Sequence, residues 1–179
     1  MSYSLIEKQV LYNGRKIRLE LHRIQDENGR QAQREVCVHN GAVVVLPFLD
    51  ARTILLIRNH RYVISQVLLE LPAGTLEKNE PPMNCAGREL QEETGYLARR
   101  LRLIGSFYTS PGVLTEKIHA FGAYDLTKTQ AAPDEGEEIE VVPTPLTEAL
   151  DMIGGGQIVD AKTIATLLMY ERFAPSPHG

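Results

Sequence analysis

Hydrophobic and polar residues alternate through the first 40 positions of the chain, a spacing typical of β-strands with one face turned to a core. Ile17, Leu19 and Leu21 are separated by polar residues. The dipeptides Asn13-Gly14 and Asn28-Gly29 interrupt this pattern, and both are favourable for tight hairpin turns. Residues 1–40 are therefore predicted to form a small antiparallel β-sheet.

Two nearly continuous apolar runs follow, at residues 42–48 and 53–57. Such runs indicate strands that are buried on both faces. The short polar segment 50–52 between them suggests that the two strands pair as a hairpin. Further strands are predicted at residues 103–108, 118–126 and 139–142.

The segment 81–94 has the strongest helical pattern in the sequence. Prolines at positions 81 and 82 suit a helix start, since proline lacks the N–H group that is unpaired there. Met83, Ala86 and Leu90 form an apolar stripe, and Gly95 is a favourable stop. Later helices are predicted from 144 to 154 and after Asp160. This order of elements predicts an α+β fold, with a tail at residues 175–179.

Composition excludes several classes of function. The 179-residue chain carries 19 basic and 23 acidic side chains, a net charge of −4, and shows no basic stripe, which argues against nucleic acid as a partner. Its two cysteines are far apart, so a structural zinc site or a disulfide framework is not expected. No apolar run is long enough for a membrane span, and no signal peptide is evident. A soluble, cytoplasmic protein is expected.

Three glutamates cluster on the predicted helix. Glu89, Glu92 and Glu93 lie at positions i, i+3 and i+4, so their carboxylates project from one face. Clustered carboxylates are oxygen ligands suited to a hard divalent cation such as Mg²⁺. A solvated acidic face that pairs with nearby arginines explains the same spacing equally well. Spacing alone leaves both interpretations open.

The residues around these glutamates resemble the Nudix box. Nine positions within 23 residues fit the pattern, and they are Gly74, Glu80, Arg88, Glu89, Leu90, Glu92, Glu93, Gly95 and Tyr96. The resemblance implies an α/β/α sandwich with a mixed sheet, formed by a catalytic domain at residues 41–174. It also implies an enzyme that cleaves the pyrophosphate of nucleoside diphosphates linked to another group.

The resemblance assigns roles to the residues of the motif. Glu89 and Glu93 would be the principal ligands of Mg²⁺ or Mn²⁺, together with Glu92 and the main-chain carbonyl of Ala73. Glu92 would also belong to the catalytic set. The remaining motif residues would have structural roles. Arg88 and Glu80 would form an ion pair, and Gly74 and Gly95 would be structural glycines of the motif.

Segments outside the motif are similar to the ADP-ribose pyrophosphatase branch of this family. They are the Arg34-Glu35 segment, the strand end at Arg61, the Glu70-Leu-Pro-Ala-Gly74 approach to the motif, and Pro111, which lies fifteen positions after Tyr96. The resemblance implies that Arg61 binds a phosphate and that Arg34 and Glu35 contact the base. The second sugar would be bordered by Ser110, Pro111, Gly112 and Glu116.

An acidic stretch at residues 134–139 is similar to the loop on which this branch carries its catalytic base. By that resemblance Glu135 would deprotonate the attacking water and Glu137 would contact a metal ion. Leu69 departs from the branch, because many members have an aromatic residue there. Base stacking would then fall to Tyr12 or Tyr62, and base selectivity stays open.

Three functions remain open at this point. The first is metal-dependent hydrolysis of ADP-ribose to AMP and ribose 5-phosphate. The second is the same chemistry on another nucleoside diphosphate sugar, such as GDP-mannose. The third is binding of such a ligand without catalysis. The strands of residues 1–40 have no helix to cover them, so a homodimer interface is expected there.

Overall fold

A computed structural model describes residues 2–132 and 138–173 of the chain. The predicted tail at 175–179 lies outside this part. The strands are β1 (Tyr3–Asn13), β2 (Ile17–Asp26), β3 (Gln31–His39), β4 (Ala42–Pro47), β5 (Thr53–Arg61), β6 (Gln66–Glu70), β7 (Ala73–Thr75), β8 (Tyr96–Tyr108), β9 (Lys117–Lys128) and β10 (Ile139–Pro145). The helices are α1 (Pro82–Thr94), α2 (Leu146–Gly154) and α3 (Ala161–Phe173).

The chain divides into two compact units. The first contains Met1–Gly41 and Tyr108–Lys117, and the second contains Ala42–Phe107 and Ile118–Gly179. In the first unit β1, β2 and β3 form an antiparallel sheet in that order. Gly29 adopts a φ of 80°, a left-handed conformation that glycine tolerates, in the turn between β2 and β3. The predicted N-terminal sheet is confirmed.

A four-stranded mixed sheet, in the order β7-β4-β9-β8, is the centre of the second unit. Strand β4 runs antiparallel to β7 and parallel to β9. Every residue of β4 is buried, as its apolar run predicts. Val43 and Val45 pack with Leu90 of α1 on one face, whereas Val44 and Leu46 join a second core on the other. The fold is therefore the predicted α+β sandwich.

The predicted hairpin between the apolar runs is wrong. Strand β5 belongs to a separate antiparallel sheet, β10-β5-β6, and only the bridge between Phe48 and Ile54 joins it to the segment after β4. Both are inner strands of their own sheets, and β4 is buried on both faces because its side chains pack into two different cores. Continuous hydrophobicity therefore predicted burial correctly but did not indicate the pairing partner.

The three predicted helices are confirmed, with small differences at their ends. Pro81 is the N-cap of α1 and Gly95 its C-cap, with a φ of 71°. Asp160 precedes α3 and accepts a hydrogen bond from the main-chain N–H of Thr163 (2.9 Å), as a capping residue does. Strands β6 and β7 were not predicted. Within the described residues, no helix has the length and apolar character needed to cross a membrane.

Candidate active site

Helix α1 places two of its glutamates against the short strand β7. The carboxyl group of Glu89 lies so close to Gly74 that a Cβ atom at this glycine would overlap it. The carboxylate of Glu93, which is 5% exposed, accepts a hydrogen bond from the main-chain N–H of Ala73 (2.8 Å). Strand β7 is paired with β4, so the mixed sheet fixes the backbone that both glutamates contact.

Arg88 links the carboxylates of the motif to one another. Its Nε and Nη2 atoms each donate to the Glu80 carboxylate at 3.1 Å, so the ion pair expected between these residues is present. Its Nη1 atom donates to Glu89 (2.7 Å) and to Glu92 (2.9 Å). Hydrogen bonds from Arg88 lower the pKa of Glu80 and favour its ionised form.

The oxygen atoms near Ala73 and Gly74 are chemically suited to bind a hard divalent cation. Glu89, Glu92 and Glu93 offer carboxylate oxygens, and Ala73 offers a carbonyl oxygen. In the described part of the chain, however, no three acidic, histidine or cysteine side chains converge into a complete metal site. A cation bound by Glu89 and Glu92 would compete with Arg88 for their oxygens.

A cavity of about 630 Å³ opens at the end of β5. Its wall includes Arg61 and the buried Glu70, with the exposed side chains of Tyr62, Val63 and Ile64 beside them. The pKa of Arg61 is raised, mainly by its hydrogen bonds to Glu70 and further by the charge of Glu93. Arg61 thus lies within electrostatic range of a motif carboxylate.

Helix α3 is joined to the segment that leads into the motif. The hydroxyl of Thr163 donates to Asp160 (2.6 Å) and accepts from the main-chain N–H of Leu71 (2.8 Å). Lys162, next to Thr163, donates to Glu70 (2.5 Å). These contacts join α3 to the side chain of Glu70 and to the main chain of Leu71.

The other predicted site residues fall into two groups. The substrate residues of the first unit are Arg34, Glu35, Ser110, Pro111, Gly112 and Glu116. Among these, Glu116 accepts a hydrogen bond from the Thr109 hydroxyl (2.8 Å), and Arg34 is exposed. The predicted base Glu135 and metal contact Glu137 lie outside the described residues. The roles of both groups stay predictions.

Sequence reasoning did not identify two residues that line the cavity, Glu70 and Asp160, or Lys162, which contacts both of them. From the sequence alone, Glu70 is named only as part of a segment and Asp160 only as the residue before a predicted helix, and Lys162 is not named. A glutamate directly before the Leu-Pro-Ala-Gly sequence was the one available signal for Glu70. For Lys162 there was none, because its contact with Glu70 spans 92 positions of the chain.

Comparison with known proteins agrees with this architecture. The family model of the Nudix domain matches residues 38–167, and the chain belongs to the Nudix family. It is 39% identical to an ADP-ribose pyrophosphatase of Bacillus subtilis (strain 168) over 160 residues, 88% of this chain and 86% of the relative.

Two other similarities extend this comparison. The chain is 42% identical to a GDP-mannose pyrophosphatase of Yersinia enterocolitica over 154 residues, 79% of this chain and 80% of the relative. A crystal structure of an ADP compounds hydrolase superposes with a TM-score of 0.86 at 22% identity, covering 97% of this chain and 94% of that one. This structural similarity supports the fold.

Proposed function

We propose that the protein hydrolyses the pyrophosphate bond of nucleoside diphosphate sugars, with ADP-ribose as its preferred substrate and AMP and ribose 5-phosphate as products. The observation that carries this proposal is the placement of the Glu89 and Glu93 carboxylates on the Ala73–Gly74 backbone. The cavity lined by Arg61 supports it further, because a guanidinium is well suited to bind phosphate oxygens. The similarity to an ADP-ribose pyrophosphatase favours ADP-ribose.

The proposed reaction depends on Mg²⁺ or Mn²⁺. When bound, a divalent cation neutralises phosphate charge and lowers the pKa of a coordinated water. Glu89, Glu92 and Glu93 would hold the cation, with the carbonyl of Ala73 as a further ligand. The Nη1 atom of Arg88 donates to both Glu89 and Glu92, which reduces the repulsion between their carboxylates.

The remaining predicted residues complete the proposal. Glu135 would accept the proton of the attacking water, and Glu137 would contact a metal ion. Arg61 would bind a phosphate, and Tyr62, which is 85% exposed at the cavity, would offer a face to the base. As the resemblance implies, Arg34 and Glu35 would contact the base, and Ser110, Pro111, Gly112 and Glu116 would border the second sugar.

A homodimer is the proposed assembly. Every residue of β1 from Tyr3 to Asn13 is exposed, including the large apolar side chains of Leu5, Val10 and Leu11. An exposed apolar strand of this length is an unusual surface for a monomer. Light scattering at micromolar concentration is expected to give twice the chain mass, and a monomer would contradict the proposal.

The free thiols of Cys37 and Cys85 fit the predicted cytoplasmic location.

Hydrolysis of another nucleotide sugar is the second candidate. Leu69 has no aromatic ring to stack on a base, and its side chain is partly buried against the core. The similarity to a GDP-mannose pyrophosphatase at 42% identity favours GDP-mannose as the competing substrate. Binding without catalysis is the third candidate, and the intact set of motif carboxylates argues against it.

The decisive experiment is a side-by-side hydrolysis assay. ADP-ribose, GDP-mannose, UDP-glucose and ADP-glucose are each incubated with and without Mg²⁺, and the products are treated with phosphatase to release phosphate. Metal-dependent preference for ADP-ribose is expected. Faster turnover of GDP-mannose would move the assignment to the second candidate, and no turnover by folded protein would favour binding alone.

Glu93→Gln tests the assignment of Glu93 as a metal ligand. It keeps the shape of the side chain but removes the charge of a proposed ligand. Activity is expected to fall by about a hundredfold or more, since the metal contributes several kcal/mol to catalysis. Activity near that of the wild type would remove Glu93 from the ligand set.

A further inference from the structure

Glu70 is a buried carboxylate at the wall of the cavity. It is 0% exposed and lies at the end of β6, two positions before Pro72 and the backbone that the motif glutamates contact. A buried carboxylate is costly unless cations or hydrogen-bond donors surround it. The groups that contact its carboxylate therefore indicate its role at the cavity.

The Glu70 carboxylate engages one edge of the Arg61 guanidinium. Oε1 accepts from Nε of Arg61 at 2.8 Å, and Oε2 accepts from Nη2 at 2.5 Å. This is the paired geometry in which two parallel hydrogen bonds fix a guanidinium plane. Within the described residues, Nη1 of Arg61 donates no hydrogen bond, and the side chain is 37% exposed at the cavity.

Lys162, on helix α3, also binds the Glu70 carboxylate. Its Nζ atom donates to Oε2 of Glu70 at 2.5 Å and pairs with Asp160 at 2.9 Å. Burial alone would raise the pKa of Glu70, but the hydrogen bonds from Arg61 and the charge of Lys162 outweigh it and lower the pKa. Glu70 is therefore ionised at neutral pH, and it is held by Arg61 of β5 and Lys162 of α3.

We infer that Glu70 is a positioning residue that orients Arg61 for binding a phosphate group of the substrate. By occupying Nε and Nη2, it leaves the Nη1 side of the guanidinium to meet a phosphate oxygen in the cavity. Arg61 then enters the complex with its rotamer already fixed, and less side-chain entropy is lost on binding. This inference rests on the proposed function, since it names a role within the proposed phosphate site.

Glu70→Gln tests this role through the kinetic constants. Gln presents an NH₂ group to one of the Arg61 donors, so the paired contact is lost while side-chain size is kept. KM for the nucleotide sugar is expected to rise about tenfold, with kcat changed by less than about threefold, because a phosphate contact of this kind acts on substrate and transition state alike. A merely structural role would lower the melting temperature without this separation of KM from kcat.

Glu140→Gln is the matched control. Glu140 accepts two hydrogen bonds from Arg58, at 3.0 and 2.9 Å, and Arg58 lies on the same strand as Arg61. Both side chains of this pair are half-exposed or more, and neither lines the cavity. The same substitution there is expected to leave KM unchanged. An equal rise in KM for both variants would overturn the inference.

A second pair of variants shows whether Glu70 acts through Arg61. Arg61→Met is expected to raise KM, and adding Glu70→Gln to it should raise KM by less than about twofold more, because the residue through which Glu70 acts is gone. Full additivity of the two changes would contradict the inference. If Glu70→Gln does not fold, Glu70→Asp replaces it, since it keeps the charge but withdraws the carboxylate from Arg61.

Equilibrium binding of ADP without divalent cation separates this inference from the proposed function. If the wild type hydrolyses no nucleotide sugar but Glu70→Gln weakens ADP binding about tenfold, the proposed function fails and the inference stands. If hydrolysis is observed while Glu70→Gln changes both KM and the ADP dissociation constant by less than about twofold, the inference fails alone. Absence of both hydrolysis and ADP binding in the wild type would overturn both.

Discussion

The carboxyl group of Glu89 lies directly against the α-carbon of Gly74, in the space that any larger residue would need for its Cβ atom. This contact explains why the motif begins with glycine fifteen positions before a glutamate. The glycine is not required for an unusual backbone angle, since its φ is not positive. It is required because the carboxyl group of Glu89, on helix α1, occupies the space beside Gly74 on strand β7.

Gly74→Ala is therefore expected to displace Glu89 from its position. Activity should fall by about a hundredfold, because a shift of about 1 Å in a catalytic group is enough for such a loss. Steady-state hydrolysis of the preferred nucleotide sugar is the measurement. Gly154→Ala is the matched control, since a Cβ there meets nothing within 4 Å. Equal activity of the two variants would show that the Glu89 position is not critical.

Arg88 stabilises the motif by neutralising carboxylates that would otherwise repel one another. Arg88→Met is expected to lower the free energy of unfolding by about 2 kcal/mol, a typical value for lost hydrogen bonds to charged groups. Added Mg²⁺ should then raise the melting temperature of the variant more than that of the wild type, because the cation replaces the missing charge.

Thermal melting with and without Mg²⁺ checks this prediction. Arg58→Met serves as its control, because Arg58 pairs with Glu140 in an exposed position, where an ion pair contributes little. That variant should lose less than about 1 kcal/mol and respond to Mg²⁺ as the wild type does. An equal response of the Arg88 variant and the wild type to Mg²⁺ would contradict the account of Arg88 as a counter-ion.

Much of the fold could be predicted from the sequence, because turns and helix ends are determined by residues that are close in the chain. The turns at Gly14 and Gly29, helix α1 and its stop at Gly95 all depend on residues close in the chain. The pairing of β4 and β5 was predicted wrongly because two buried strands with the same pattern carry no information about their partners. The contacts of Glu70 with Lys162 likewise depend on how distant elements pack, which no spacing rule encodes.

The contact between Thr163 and Leu71 predicts a loss of stability when the hydroxyl is removed. Thr163 is 0% exposed, and its oxygen accepts from the main-chain N–H of Leu71. Thr163→Val leaves this buried N–H without a partner, at a cost of about 1–3 kcal/mol in the free energy of unfolding. Urea denaturation is the measurement.

Thr166→Val is the control for that substitution, since Thr166 lies on the same helix and is equally buried. Among the residues that the structure describes, its hydroxyl forms a hydrogen bond only with the Lys162 carbonyl of the preceding turn (2.7 Å), so its loss leaves none of their buried donors unpaired. The variant should be destabilised by about 1 kcal/mol or less. Equal losses for both variants would mean that the link from α3 to Leu71 does not stabilise the fold.

Glu20 makes the stability of the N-terminal sheet dependent on pH. Its carboxylate is 2% exposed, and hydrogen bonds from His22 and Arg18, with the nearby charge of Lys8, lower its pKa from 4.5 to about 2. Because the folded-state pKa is the lower one, the stabilisation is complete above pH 4.5 and is lost as the pH falls towards 2. Glu20→Gln should thus be less stable than the wild type at pH 6, and the difference should shrink at pH 3. Urea denaturation at one protein concentration measures both values, and a difference that stays constant between the two pH values would refute the role of Glu20.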